Sequence, residues 1–186
     1  MRKSLDFLYK LSGAGAALSL LVIVIILFGQ VTFNIIDYVA HALFDKRFGL
    51  LIPSYAQFSG YALGLATFLS LAIALRHHSH IRVTLLEMRF KATLRRWTHT
   101  VVALLGVAIA LLISYSLIEL TFDSWQWNST ATGLVRLPLW IPQAGLALGS
   151  VIFSIACIDT FIEMIRYGRS DALVTIDPVD VGDSND

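Results

Sequence analysis

Four long stretches without a charged side chain occupy most of this 186-residue sequence. A helix needs about 20 apolar residues to cross the hydrocarbon core of a bilayer, and each stretch is of that order. With 56% hydrophobic and 15% charged residues, the chain has more apolar surface than a soluble core can bury. The sequence therefore predicts an all-α integral membrane protein with four transmembrane helices, built on the charge-free stretches Leu11–Ile36, Phe48–Leu75, Thr100–Ile118 and Leu137–Ile158.

We expect a single membrane domain at residues 1–169, followed by an acidic, disordered cytoplasmic tail at 170–186. Its transmembrane helices are predicted at residues 11–36, 53–76, 99–120 and 138–165. The first stretch follows Arg2 and Lys3, as the apolar part of a signal peptide does. It is, however, far longer than the roughly 7 to 15 residues of such a region, so we expect it to remain as a helix.

The positions of Lys and Arg predict the orientation, because basic residues stay on the cytoplasmic side during insertion. Three lie before the first helix, six in the second connection and two at the C-terminal end, whereas the first and third connections hold two and one. Eleven against three predicts that both termini of this multi-pass protein are cytoplasmic.

The second connection alternates basic and apolar residues, and its apolar residues recur at helical spacing. On a helix over residues 83–97 they form one stripe, which can lie in the headgroup layer while the basic side chains face phosphate or water. The alternative is an ordinary solvated loop. The stripe consists of Leu86, Phe90, Leu94 and Trp97.

Small residues recur every four positions in three of the predicted helices. Small side chains let helix backbones approach closely, and in lipid this close packing replaces the hydrophobic drive between helices. These positions are therefore predicted packing faces, although glycine is also simply commoner in transmembrane helices. They are Ala56, Gly60 and Gly64 in the second helix, Gly106 and Ala110 in the third, and Gly145 and Gly149 in the fourth.

Residues that carry chemistry are scarce. Cys157 is the single cysteine, in an apolar helix, which excludes a disulfide framework and a thiolate metal site. His77, His78 and His80 form the one histidine cluster, but a membrane haem site needs histidines on facing helices inside the bilayer. We expect no enzymatic activity, no metal, no cofactor and no nucleic-acid partner.

Ionisable residues lie near the ends of the charge-free stretches rather than at mid-bilayer, where a proton or ion pathway would need one. Arg76 ends the second helix, at a depth similar to that of Asp159 and Glu163 in the fourth. We expect an interhelical pair between Arg76 and Asp159, with Glu163 free to meet Arg166 or Tyr167 on its own helix. The alternative is that Arg76 reaches lipid phosphate.

Two stretches resemble a known family. In Gly64–Val83 a helix with small residues ends at Arg76 and continues through His80 into the amphipathic segment, and Leu137–Gly149 opens the last helix. Both are similar to the small permease (Q) subunit of tripartite ATP-independent periplasmic (TRAP) transporters, and the resemblance extends over nearly the whole chain. In the second stretch it rests on Pro138, Trp140, Pro142, Gly145 and Gly149.

The resemblance implies a sodium-driven transporter in which a periplasmic binding protein transiently delivers an organic anion to a large permease (M) subunit. The small subunit then anchors and widens the scaffold of the large one, in contact with membrane lipids. The start of the second helix often carries an acid in this family, whereas Ala56 and Gln57 stand here. Two other classes stay open, an autonomous small transporter and a membrane redox subunit resembling a cytochrome. Transport by this chain alone in liposomes, or a haem absorption band, would indicate them.

Overall fold

The structure is a computed structural model that describes residues 2–45, 49–76 and 92–167. These residues form four helices, each long and apolar enough to cross a membrane, which confirms the four-helix prediction. The only β-pairing among them is an isolated bridge between Thr130 and Pro138. The helices are α1 (Arg2–Phe44), α2 (Tyr55–Arg76), α3 (Ala92–Gln126) and α4 (Trp140–Tyr167).

Two helices run well past the stretches predicted from hydropathy, because backbone caps rather than the edge of the apolar run end them. α1 stops at Asp45, which has a φ of 51° and whose N–H bonds to the carbonyl of His41 at 3.0 Å. α3 stops at Asn128, with a φ of 47°, followed by a bond from Ser129 N to the carbonyl of Ser124 at 3.0 Å. Both are left-handed helix ends, the second of the Schellman type.

α1 is longer than a single membrane crossing requires. At 1.5 Å per residue its 43 residues extend over about 65 Å, roughly twice the hydrocarbon thickness. The helix therefore tilts strongly or projects from the bilayer. The N-terminal part of α1 places Tyr9 in a small core with Ala72 of α2 and with Ile152 and Ala156 of α4.

The helices pack in the order α1, α2, α4, α3, so α2 and α4 are central and α1 and α3 are outer. α1 lies closely against α2, since a Cβ at Gly13 would come within 2.6 Å of Ile73. Of the most apolar part of α4, 44% of the residues are buried inside the chain, against 11% in α1 and α3. The outer helices therefore expose broad apolar faces and α4 forms the centre of the fold.

Alternating helix directions bring the start of α1 and the ends of α2 and α4 together at one end, which we call the Arg76 end. The opposite end, where α4 begins, is the Trp140 end. Tyr9, Arg76 and Glu163 meet at the Arg76 end. The start of α1 and the end of α4 therefore lie on the same side of the fold. Which side of the membrane this is stays a prediction from the basic residues.

Several predicted features fall outside the described residues. These are His77, His78 and His80, the larger part of the amphipathic segment with Leu86 and Phe90, and the tail at 170–186. Of that segment, Ala92 to Trp97 is helical and continuous with α3. Trp97 is 68% exposed. An orientation in the membrane plane stays a prediction.

Candidate functional site

A cluster of charged side chains joins α2 to α4 at the Arg76 end. The guanidinium of Arg76 donates from Nη2 to Oδ2 of Asp159 at 2.7 Å and from Nη1 to Oε1 of Glu163 at 3.2 Å. The three side chains are 14%, 21% and 7% exposed, respectively. Charge-assisted hydrogen bonds of this kind are about twice as strong as neutral ones. They stabilise the fold only if each buried charged group has a partner.

α1 adds an aromatic ring to this cluster. The ring centroid of Tyr9 lies 5.5 Å from Cζ of Arg76, within the range of a cation–π contact. Tyr9 is only 3% exposed, and its hydroxyl has no hydrogen-bond partner among the described residues. Three helices therefore meet around a single guanidinium, which we call the Arg76 cluster (Tyr9, Arg76, Asp159 and Glu163).

The sequence reasoning named Arg76 and Asp159 and missed two members of the Arg76 cluster. Glu163 also contacts Arg76 on α2, with its Oε1 3.2 Å from Nη1. Tyr9 is absent from the prediction made from the sequence, although Tyr9, Ser12 and Ala16 follow a helical spacing. All three are buried, and this stripe was the signal available in the sequence.

Small residues close the seam between α2 and α4. A Cβ at Gly149 would lie 2.9 Å from the backbone carbon of Phe68, and one at Gly64 would lie 3.1 Å from Leu146. A Cβ at Gly145 would collide with the side chain of Leu65. The two backbones thus approach closely at these predicted positions, as helix pairs in membranes do at small residues.

The other two glycines of the predicted stripes face away from the chain. Among the described residues, and apart from the backbone of the helix itself, no atom lies within 4 Å of a Cβ placed at Gly60 of α2 or at Gly106 of α3. Ala56 and Thr67 share the exposed face of α2 with Gly60, at spacings that belong to one side of a helix. This face of α2, which we call the α2 outer face (Ala56, Gly60, Leu63 and Thr67), makes no packing contact within the described chain at Gly60.

The connection between α3 and α4 orders the start of α4. Ala131 N bonds to the carbonyl of Leu137 at 2.8 Å, and Leu139 N bonds to that of Ser129 at 2.9 Å, which makes a narrow loop. Pro138 then accepts a bond from Ile141 N at 3.3 Å. Pro142 lies in the first turn of α4, where a missing N–H costs nothing.

Polar residues at the Trp140 end bond within the chain. Oε1 of Gln30, which is 4% exposed, accepts a bond from Ile52 N at 2.9 Å, and its Nε2 donates to Asn34 at 3.2 Å. Oγ of Ser54 accepts a bond from Val135 N at 3.1 Å. These side chains satisfy the backbone of two connections, a role that the sequence alone did not indicate.

The described arrangement holds helices together. Among residues 2–45, 49–76 and 92–167, no three of the residue types that bind metals come together to hold an ion. Of the predicted family positions, His80 lies outside the described residues, whereas Trp140 is 38% exposed at the start of α4. The contacts that the structure describes here are packing contacts between helices.

Comparisons with known proteins indicate which kind of complex these packing surfaces belong to. No curated protein and no solved structure matches the chain. One family model matches residues 46–167, about two thirds of the sequence, which include α2, α3 and α4. α1 lies outside the match, which is therefore shorter than the resemblance expected over nearly the whole chain. The family is described as "Tripartite ATP-independent periplasmic transporters, DctQ component", and this chain belongs to it as a small subunit of a TRAP transporter.

Proposed function

We propose that this chain anchors and widens the static scaffold of a large TRAP permease subunit in the bacterial inner membrane. The complete transporter would use sodium to take up an organic anion that a periplasmic binding protein delivers. The observation that carries the proposal is the family match over α2, α3 and α4, the helices that contain the packed seams and the exposed small-residue positions.

The distribution of polar groups supports a supporting rather than a transporting role. The charge-free stretches contain no Asp, Glu, Lys or Arg in their middle parts, and an ion or proton pathway normally needs such a group. The polar side chains Gln30 and Asn34 bond to each other, and Gln30 also bonds to the chain's own backbone. The substrate path then belongs to the large subunit.

The α2 outer face is the surface that we assign to the large subunit. Gly60 leaves open space for a second backbone, and Ala56 and Thr67 flank it as small, exposed side chains. The hydroxyl of Thr67 donates to the carbonyl of Leu63 at 2.8 Å, so it needs no partner from outside. Close approach at small residues is how helices associate in lipid.

A matched pair of substitutions tests this assignment. Gly60→Leu fills the α2 outer face, whereas Gly106→Leu places the same side chain in equally open space on α3. After coexpression with the large subunit, we expect Gly60→Leu to reduce the copurified large subunit several-fold and Gly106→Leu to leave it unchanged. Both isolated variants should be at least as stable as the parent in detergent. If the two variants retain equal amounts of the large subunit, the α2 outer face is not the surface that binds it. If the parent itself retains no large subunit, the function is wrong.

The orientation is part of the proposal, with the Arg76 end in the cytoplasm. Cysteines introduced at Tyr38 and Leu134, which are 76% and 83% exposed, should react with an impermeant reagent added from the periplasm. A cysteine at Arg166, exposed at the opposite end, should react only after the membrane is permeabilised. The native Cys157 is 7% exposed and gives little background. The reverse labelling pattern would invert the topology.

We also retain the interfacial helix over residues 83–97, in which the apolar stripe lies in the headgroup layer. Spin labels at Phe90 and Arg89 should then differ, with Phe90 more accessible to oxygen and Arg89 more accessible to a polar relaxant. An aspartate at Phe90 should loosen the segment, because a charge enters the apolar face. Equal, water-like accessibility at both labels would favour a solvated loop.

A further inference from the structure

Glu119 is an acidic residue that the structure places away from any helix end. The sequence predicts it near the end of the third helix, because it directly follows the charge-free stretch Thr100–Ile118. In the structure α3 continues past it to Gln126. The side chain of Glu119 is exposed, and no described residue bonds to it or pairs with it. What surrounds this carboxyl group therefore depends on its depth in the membrane.

The contacts of α3 with α4 give that depth. The hydroxyls of Ser114 and Ser154 bond at 2.8 Å, so these two residues are level in the antiparallel helices. Glu119 follows five residues later on α3 and is therefore level with Gly149, five residues earlier on α4. At 1.5 Å per residue, Gly149 lies about 14 Å from the start of α4 and about 15 Å from Asp159. Together these distances match a hydrocarbon core of about 30 Å, which places Glu119 near its middle.

The side of α3 that carries Glu119 faces away from the rest of the chain. Ala110 and Ser114, which are 0% and 6% exposed, lie on the packed side of α3. At about 100° per residue, Glu119 points about 180° from Ala110 and about 140° from Ser114. Leu112 and Tyr115 flank it and are 67% and 66% exposed. These three residues form the α3 outer face (Leu112, Tyr115 and Glu119), so Glu119 does not line a path through this chain.

Lipid does not supply a partner for an acid at this depth. Ionisable side chains inside a membrane are costly and pair with one another or with other polar groups. Long Lys and Arg side chains reach the interface from deeper positions, whereas the short side chain of Glu119 cannot cover half the hydrocarbon core. The partner of Glu119 therefore belongs to another protein helix.

A second copy of this chain does not supply that partner either. A carboxylate is best paired by a basic side chain at the same depth. Within the four helices, Lys and Arg occur only toward the ends, as Arg76 does in α2 and Arg166 does in α4. Lys and Arg are absent from residues 11–45, 48–75, 97–135 and 137–165.

We propose that the α3 outer face binds a membrane-spanning helix of the large permease subunit that places a Lys or Arg side chain against Glu119. The inference rests on the proposed function, which supplies a partner with membrane-spanning helices, and it adds a contact besides the α2 outer face. Such a pair sets the depth of the partner helix, because a slip by one helical turn, about 5.4 Å, would separate the two charges.

Two neutralising substitutions on the same helix test the pair. Glu119→Gln removes the charge at mid-membrane, whereas Asp123→Asn removes one about 6 Å nearer the Trp140 end. After coexpression with the large subunit, we expect Glu119→Gln to reduce the copurified large subunit several-fold and Asp123→Asn to leave it unchanged. Both isolated variants should be as stable as the parent in detergent, because neither carboxyl group bonds to a described residue.

The outcomes separate this inference from the proposed function. Equal retention of the large subunit by the parent and Glu119→Gln would place Glu119 against lipid and overturn the pair, while the proposed function would stand. Equal losses in Glu119→Gln and Asp123→Asn would indicate a general effect of charge and would also overturn it. A parent that retains no large subunit would refute the proposed function and this assignment with it.

A photocrosslink identifies the partner helix directly. In the complex, Tyr115→p-benzoylphenylalanine should cross-link to the large subunit, and mass spectrometry should locate the adduct within about two turns of a Lys or Arg in a membrane-spanning helix. Changing that basic residue to Glu should reduce copurification, and combining the change with Glu119→Lys should restore it. A cross-link to lipid alone, or to a second copy of this chain, would contradict the proposal.

Discussion

α4 is packed in different ways on its two sides. Toward α2, glycines bring the backbones together, with the Cβ position of Gly149 only 2.9 Å from the backbone of Phe68. Toward α3, the seam closes around Ser114 and Ser154 but widens where Ile118 and Phe122 follow. In lipid, where burial of apolar area drives nothing, the spacing of small residues decides whether a seam closes.

The largest effect should come from breaking the tight side of α4. Gly149→Leu drives a side chain into the backbone of Phe68, which cannot move aside as a flexible side chain could. We expect a loss of about 3 kcal/mol or more in the free energy of unfolding, at or above the upper range for overpacking. Titration from mild detergent into sodium dodecyl sulfate measures this loss.

Gly106→Leu is the control for that experiment, because its Cβ position meets nothing within 4 Å. It should keep or slightly raise stability, since leucine has the higher helix propensity by up to about 1 kcal/mol. Comparable losses in the free energy of unfolding for Gly149→Leu and Gly106→Leu would mean that the close approach of α2 and α4 does not contribute to stability.

The second prediction concerns the charged end of the same side. Arg76→Ala and Asp159→Ala should each destabilise the chain, and the double variant should lose less than the sum, because either change leaves a partly buried charge behind. We expect a coupling between about 0.6 and 1.7 kcal/mol, the average and the maximum for interhelical polar pairs in membranes. The same cycle with Glu163→Gln should give coupling of similar size. Additive losses would assign Arg76 to lipid phosphate.

Features encoded within one helix could be predicted from the sequence, whereas features that depend on backbone conformation or on the distance between helices could not. The four helices follow from charge-free runs, and all four are long and apolar enough to cross a membrane. The ends of α1 and α3 were placed too early, because Asp45 and Asn128 end those helices through left-handed backbone conformations that hydropathy does not register.

The candidate site was also predictable only in part. Arg76 and Asp159 could be considered together because both stand at the same end of their helices, whereas for Glu163 the sequence offers Arg166 and Tyr167 at helical spacing as equal alternatives. The widening of the α3–α4 seam beside Ile118 and Phe122 could not be predicted. It depends on the distance between two helices beyond Ser114 and Ser154, and no pattern within one helix encodes that distance.

The side of α4 that faces α3 should respond less to substitution, because the hydrogen bond between Ser114 and Ser154 joins two neutral groups. Ser114→Ala and Ser154→Ala remove the hydrogen bond between the two hydroxyls across the α3–α4 seam. The hydroxyl of Ser154 also reaches the carbonyl of Ser150 at 3.0 Å, so it keeps a partner when Ser114 is lost. A double-mutant cycle in the same titration should give a coupling of about 0.6 kcal/mol. A coupling larger than that of Arg76 with Asp159 would reverse the contrast between the two sides.

The smallest loss of stability should come from Tyr9→Phe, which tests what α1 contributes to the tight side of α4. The ring of Tyr9 lies 5.5 Å from Cζ of Arg76, but its buried hydroxyl has no hydrogen-bond partner among the described residues. A buried hydroxyl without a partner costs about 1 to 3 kcal/mol, so removing it should leave the stability unchanged or raise it. Tyr9→Leu keeps apolar volume but loses the aromatic face, and should cost about 0.5 to 2 kcal/mol if the cation–π contact matters. A clear loss in Tyr9→Phe would show that the hydroxyl, and not the ring, joins α1 to the Arg76 cluster.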